Sequence, residues 1–227
     1  MYSSQRTFSS EDLKRIAMLA MVTDHIGAVC IERTPLISVE SWEIADTVCR
    51  LIGRLAFPLF AFLLLQGFIY TRSRTRYLTR LFLLGLVSEI PFDLAVSGGL
   101  DFSRQNTCLL LAFGLGLLML MEKVPRWGQV LLALAAMAVS WVLRLDYSFM
   151  GILLICLLYW FQGDRRKQCT AGVLATIYEL TAALAFFFVA RYNGRAGEKR
   201  IPRPVWYLFY PVHLLVLYGV SLLIMQA

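Results

Sequence analysis

Apolar residues fall along the chain in eight blocks, and most polar residues lie in short strips between them. A helix needs about 20 mostly apolar residues to cross a bilayer. By that ruler the blocks lie at roughly 13–31, 48–70, 77–96, 107–121, 128–144, 148–163, 169–190 and 205–225. The strips are too short for a soluble domain, and no internal repeat or low-complexity tract breaks the series. The pattern predicts one all-α, polytopic transmembrane helical bundle of about eight spans over residues 1–227, with no soluble domain. Lys14 and Arg15 ahead of the first block resemble the start of a signal sequence. However, Asp24 and His25 interrupt its core and no small-x-small cleavage site follows. Ala28-Val29-Cys30 has Val where a lipoprotein site needs a small residue, so the segment reads as a retained helix.

Composition strengthens this reading. Ala, Val, Ile, Leu, Met, Phe, Trp, Tyr and Cys make up 59% of the chain and charged residues 16%, with a mean hydropathy of +0.65. Ordinary soluble domains reach only about 45–50% apolar even with Gly counted. Disordered, coiled-coil, collagenous and disulfide-stapled classes are excluded by the same figures. The net charge of +7 comes from Lys and Arg placed between apolar blocks rather than on one polar face. That is the positive-inside pattern of membrane proteins and argues against nucleic acid as a partner.

With the N-terminus inside, Arg6, Lys14 and Arg15, then Arg72, Arg74, Arg76 and Arg80, then Lys123 and Arg126, then Arg165, Arg166 and Lys167 are cytoplasmic. Only Arg33, Arg50, Arg104 and Arg144 fall outside. Eight crossings break the rule at one place, since Arg191, Arg195, Lys199, Arg200 and Arg203 would lie outside. Early helices usually fix orientation, so loop 191–204 is expected outside and the last helix is expected to run inward.

Ionisable groups at bilayer depth cost about 2.5–3.5 kcal/mol each and tend to mark sites. They are Asp24, His25, Arg54, Glu89, Asp93, Glu179 and His213, with Gln66 as a further polar residue. At 1.5 Å per residue, His25 lies about 9 Å from the outer end of its helix, and Arg54, Glu89, Asp93 and His213 reach a similar level. Asp24 and His25 point about 100° apart on a helix, so the partner of His25 is sought on another helix, among Glu89, Asp93 and Arg54. Arg54 with Glu89 or Asp93 reads equally as an ion pair tying helices together, and His213 as a packing residue. His25 beside Asp24 in an apolar helix favours function. Pro91 is expected to kink the segment between Glu89 and Asp93. Among Cys30, Cys49, Cys108, Cys156 and Cys169 there is no CxxC or metal spacing, although Cys30 and Cys49 bracket the first outside loop and could pair in an oxidising compartment. GxSxG, HExxH and Cys/His metal sets are absent from the sequence.

The ordered set of short blocks resembles the TraX family. It opens with Leu13-Lys14-Arg15-Ile16-Ala17 and Asp24-His25-Ile26-Gly27, followed by Gly53-Arg54-Leu55-Ala56-Phe57-Pro58 and Gln66-Gly67. Arg80, Ser88-Glu89-Ile90-Pro91-Phe92-Asp93, Gln105-Asn106, Asp146-Tyr147 and Gly151 come next. Tyr192-Asn193-Gly194 and Phe209-Tyr210-Pro211-Val212-His213-Leu214 close it. The family is named for a pilin acetylase and is similar to membrane acyltransferases such as heparan glucosaminide N-acetyltransferase.

The resemblance implies an integral membrane acyltransferase of the bacterial cytoplasmic membrane, moving an acetyl or other acyl group from cytoplasmic acyl-CoA to an amine or hydroxyl. The acceptor would be a peptide N-terminus, an amino sugar or a glycan. It implies His25 as the catalytic residue, acting as base or as nucleophile. Asp24, Glu89 or Asp93 would assist, Arg54 or Asn106 would stabilise the oxyanion, and His213, Tyr210 and Asp146 would contact substrate. Arg72, Arg74, Arg76 and Arg80 would receive the CoA phosphates, Arg matching phosphate in a fork. No metal is implied, and homo-oligomerisation stays open. Two other classes remain beside this one: a small transporter, which would be expected to show broken helices in two related halves, and a non-catalytic assembly factor for a secretion or conjugation apparatus.

Overall fold

In a computed structural model, which describes residues 7–198 and 202–226 with the Arg203 side chain excepted, the apolar blocks are helices. Arg6, Lys199 and Arg200 of the charge pattern lie outside the described residues. Helix α1 (Ser10–His25) begins at a capping box, in which Ser9 Oγ accepts from the Asp12 backbone N–H and the Asp12 carboxylate accepts from that of Ser9. It continues into a π-helical segment, Ile26–Ile31. After α2 (Glu40–Gly53) and α3 (Ala56–Tyr70) come α4 (Arg74–Ser97) and α5 (Thr107–Met121). Helices α6 (Arg126–Val142), α7 (Ser148–Trp160) and α8 (Arg165–Thr176) follow, then a 3-10 segment Ile177–Leu184, α9 (Ala185–Ala190) and α10 (Arg203–Gln226). Among the described residues three stretches are long and apolar enough to cross a membrane by length and composition: Glu40–Tyr70, Arg165–Ala190 and Pro204–Gln226. Thr107–Met121, Arg126–Val142 and Ser148–Trp160 are shorter apolar helices.

The expected eight parallel-and-antiparallel passes need one correction. Arg165–Ala190 does not run from one end of the bundle to the other. It folds back on itself at Glu179 and Leu180, whose backbones leave the helical region, Leu180 at φ +46° and ψ −79°. Gly172 on α8 lies so close to Phe186 on α9 that a Cβ built there would fall 2.1 Å from the ring. The Arg165 guanidinium at the start of the segment sits 5.3 Å over the Tyr192 ring just past its end. Contacts 172 to 186 and 165 to 192 are nested about residue 179, as in a hairpin.

The chain leaving this hairpin is therefore at the end where α1 begins. Thr7 N–H donates to Arg191 O at 2.9 Å, Ser10 N–H to Arg195 O at 2.9 Å and Asn193 N–H to Phe8 O at 2.8 Å. The basic residues Arg191 and Arg195 thus share an end of the bundle with Lys14, Arg15, Arg72–Arg80, Lys123, Arg126 and Arg165–Lys167. The reversal within residues 169–190 removes the conflict with the positive-inside pattern, and length and hydropathy do not register such a reversal. Helix α10 accordingly runs parallel to α1, not antiparallel: Lys14 lies 5.2 Å over Trp206, His25 meets His213, and Cys30 Sγ reaches Leu217 O at 3.8 Å.

One further expectation changes. The second block starts at residue 40, not 48, and breaks at Arg54–Leu55 between α2 and α3. Helices α4 and α10 are continuous through Pro91 and Pro211. Between lipid-bathed helices the solvent gives little hydrophobic drive, so close packing carries association. The main core joins α1, α3, α5, α7 and α9 through Leu13, Phe62, Leu115, Ile155 and Phe186. A smaller one, with Met21, Val29, Phe92, Cys108, Tyr210 and Leu214, joins α1, α4, α5 and α10.

Candidate functional site

At 1.5 Å per residue, His25 stands about 22 Å along α1 from its basic end, and Glu89 about 22 Å along α4. At this level α3, α5 and α7 have their N-termini, the α2–α3 break occurs, and the hairpin turns. Polar side chains from all these elements collect there, in two linked groups.

The first group is built on the histidines. His25 and His213 approach at 2.7 Å, Nδ1 to Nε2, with ring planes 19° apart. His213 Nδ1 lies 2.9 Å from Phe209 O, one turn back on α10. A carbonyl oxygen only accepts, so His213 carries its proton on Nδ1 and its Nε2 is the acceptor in the pair. The proton between the rings therefore belongs to His25 Nδ1, and His25 Nε2 is left with a free lone pair. Nothing among the described residues hydrogen-bonds that nitrogen, and the His25 side chain remains partly accessible. Tyr210, 6% exposed, places its ring centroid 6.3 Å from His25 and 5.7 Å from His213. The π-helical segment begins at Ile26, directly after His25, with Glu32 N–H donating to Gly27 O. Such segments are frequent at functional sites.

The second group is ionic. Arg50 Nη1 donates to Asp24 Oδ2 at 2.7 Å. This pairing needs α2 close to α1, and Gly53 permits it: a Cβ there would fall 2.2 Å from the Asp24 carboxylate. Arg54 faces Glu179 at the hairpin turn, Nη1 to Oε1 3.7 Å, with Tyr147 beside it. Thr181 Oγ1 donates to Leu51 O at 2.6 Å, so the turn is fastened to the α2–α3 break. Non-helical backbone at membrane depth is tolerated where protein surrounds it or it lines a cavity. Tyr147, at φ +56°, stacks on Phe57 with ring centroids 4.0 Å apart. The neighbouring Asp146 accepts a hydrogen bond from the Thr107 hydroxyl.

The partners of several expected site residues differ from those sought in the sequence. His25 is paired by His213 rather than by Glu89, Asp93 or Arg54, and Arg54 by Glu179 rather than by Glu89 or Asp93. Glu89 is hydrogen-bonded by the Asn106 side chain. Asp93, 2% exposed, accepts from the Asp101 backbone N–H at 3.1 Å. Asn106 caps α5, its Oδ1 accepting from the N–H of Cys108 and Leu109 while its Nδ2 donates to Gly85 O and Glu89. Both of its donor contacts are thus made within the protein. At the basic end Arg74 is tied to Glu122 and lies 4.2 Å over Phe68, whereas Arg72, Arg76 and Arg80 are exposed. The five cysteines are free thiols, Cys30 and Cys49 included. Among the described residues no three His, Cys, Asp or Glu side chains converge as a metal-ligand set.

Arg50, Tyr147 and Thr107 join these groups although the sequence does not single them out. Arg50 reads as an outer-loop charge until α2 is extended back to Glu40, and Tyr147 gives only its place beside Asp146 as a signal.

The sequence model described as TraX protein matches residues 9–221, which takes in both histidines, the α2–α3 break and the hairpin. The chain is 29% identical over 238 residues to a relative from Dichelobacter nodosus named "Probable fimbrial assembly protein FimC, serogroup H1", covering 92% of this chain and 94% of the relative. No solved structure matches it.

Proposed function

The chain belongs to the TraX family, and on that premise we propose that it is a membrane-embedded acyltransferase using an acyl-CoA donor and His25 as its base. The observation that carries the reading is the hydrogen-bond chain Phe209 O, His213, His25, which ends in an unprotonated, unbonded Nε2 at bilayer depth.

In this reading the basic end faces the cytoplasm, seven passes cross the bilayer and Arg165–Ala190 is re-entrant. The CoA phosphates sit at the exposed Arg72, Arg76 and Arg80, and the thioester reaches inward between the helices. His25 Nε2 takes the proton of an acceptor amine or hydroxyl as the acceptor attacks the thioester carbonyl. The new C–N or C–O bond forms, the C–S bond breaks, and the imidazolium returns the proton to the departing thiolate. His213 Nε2 accepts from His25 Nδ1 throughout, fixing the tautomer and stabilising the transient cation, as the buried carboxylate does in a serine-protease triad. Arg54 and Tyr147 supply donors at the same level for the developing oxyanion. A relative named for fimbrial assembly fits an acceptor on a pilin or another surface polymer, which arrives from the far end of the bundle.

A non-catalytic assembly factor is the competing reading, and turnover separates the two. Purified protein in detergent should consume acetyl-CoA, with release of free CoA. His25→Ala should abolish this while leaving the thermal transition near that of the parent. Absence of any acetyl-CoA binding or turnover by the parent would reject the enzyme reading.

A further inference from the structure

A groove of about 600 Å³ runs down the outside of the bundle between α7 and α8, away from the histidine pair. Its α7 wall is Leu153, Leu157 and Phe161, and its α8 wall includes Ala171, Leu174 and Ala175. Arg166 and Lys167 stand at one extremity only, the basic end. Arg165, the third cation of this run, is turned inward, where its Nη1 donates to Gln168 and its guanidinium lies 4.7 Å over Phe62. Arg166 and Lys167 are exposed. Lys167 has Asp164 at 3.7 Å, whereas the Arg166 guanidinium has no carboxylate partner among the described residues.

The hairpin sets the length of this groove. From Arg166 to Ala175 it descends about 14 Å at 1.5 Å per residue, and Ile177 then begins the turn. Half of a hydrocarbon core about 30 Å thick is about 15 Å. A crossing helix would have extended the groove through both leaflets. The re-entrant segment instead leaves a slot one leaflet deep, cationic at its head and apolar along its length except at Thr170.

We infer that this slot binds one anionic glycerophospholipid from the leaflet at the basic end. Its phosphodiester lies between Arg166 and Lys167, and an acyl chain lies along Leu157 and Leu174. Charge selects the headgroup, since basic pockets between membrane helices bind anionic lipids and each Lys or Arg near an anionic surface contributes about 1 kcal/mol. Depth selects a single lipid. The site is independent of the acyl-transfer reading, and lipid binding is measured without turnover.

The full chain in detergent, mixed with equimolar phosphatidylglycerol and phosphatidylcholine of matched acyl chains, is examined by native mass spectrometry. The parent should retain one phosphatidylglycerol in preference to phosphatidylcholine. Arg166→Gln with Lys167→Gln should lower that preference by about 25-fold, two such contacts taken together. Ala171→Trp, which narrows the slot without touching its charge, should lose the bound lipid of either kind. Equal retention of the two lipids by the parent overturns the inference. So does a preference that survives in the double variant, or an Ala171→Trp variant that still holds phosphatidylglycerol as the parent does.

Discussion

Replacing His213 with Phe removes the acceptor of the His25 Nδ1–H while keeping a flat ring beside Phe209 and Tyr210. In the parent that bond is 2.7 Å long, and during the proposed reaction it becomes a hydrogen bond to a cation. Hydrogen bonds to charged groups contribute about 1.5–3 kcal/mol, and each 1.36 kcal/mol is tenfold in rate. The variant should therefore lose about 10- to 150-fold in kcat for acetyl-CoA consumption, with a smaller change in KM. His213→Gln, which offers an amide oxygen in place of Nε2, should recover part of the loss. The chain contains only two histidines, so the tautomers can be read directly from nitrogen NMR of histidine-labelled protein. Both rings should carry their proton on Nδ1, with two bare Nε2 atoms. A proton on His25 Nε2 in the resting protein would refute the relay, and so would an unchanged kcat in His213→Phe.

Cysteines at Thr7 and Arg195 should label from one side of the membrane and a cysteine at Phe102 from the other; opposite labelling of the first two would remove the hairpin. Arg54→Met leaves the Glu179 carboxylate, 17% exposed, without its partner and should cost about 1–3 kcal/mol in detergent unfolding. Adding Glu179→Leu should recover most of it, because exchanging a whole pair for apolar groups is often near neutral. Gly172→Ala overpacks the hairpin against Phe186 and should destabilise by about 1–3 kcal/mol, relieved by Phe186→Leu; an additive double variant would refute the contact. At the head of α8, the Asp164 carboxyl is held below its ordinary value, first by the Lys167 backbone N–H and then, after a smaller opposing desolvation, by that of Arg166. A depressed acid stabilises the folded state above its unfolded pKa of about 3.9 and loses that contribution as pH falls through the lower folded value. Asp164→Asn should therefore flatten the acid limb of the thermal transition plotted against pH.

Much of this was legible in the residues. Runs of Leu, Ala, Val and Phe are helices in the structure, because a backbone without water must satisfy its own N–H and C=O groups. Asp24, His25, Arg54, Glu89 and His213 stood out as ionisable residues in apolar surroundings, and counting turns put them at one level.

The tertiary structure decided direction and partners. Residues 169–190 have the hydropathy of a crossing, and nothing local separates a helix that crosses from two that turn back. The difference lies in Gly172 meeting Phe186 and in Glu179 finding Arg54, a contact between residues far apart in the chain. That reversal also explains why His213 reached the level of His25 although α10 runs opposite to the expected direction: a residue near mid-depth is near mid-depth from either end. The pairing of the two histidines was closed to sequence reading for a similar reason. Charge suggested carboxylates for His25, whereas the hydrogen bond follows from the parallel approach of α1 and α10, and the Phe209 carbonyl, present at every position of every sequence, is what fixes which nitrogen is bare.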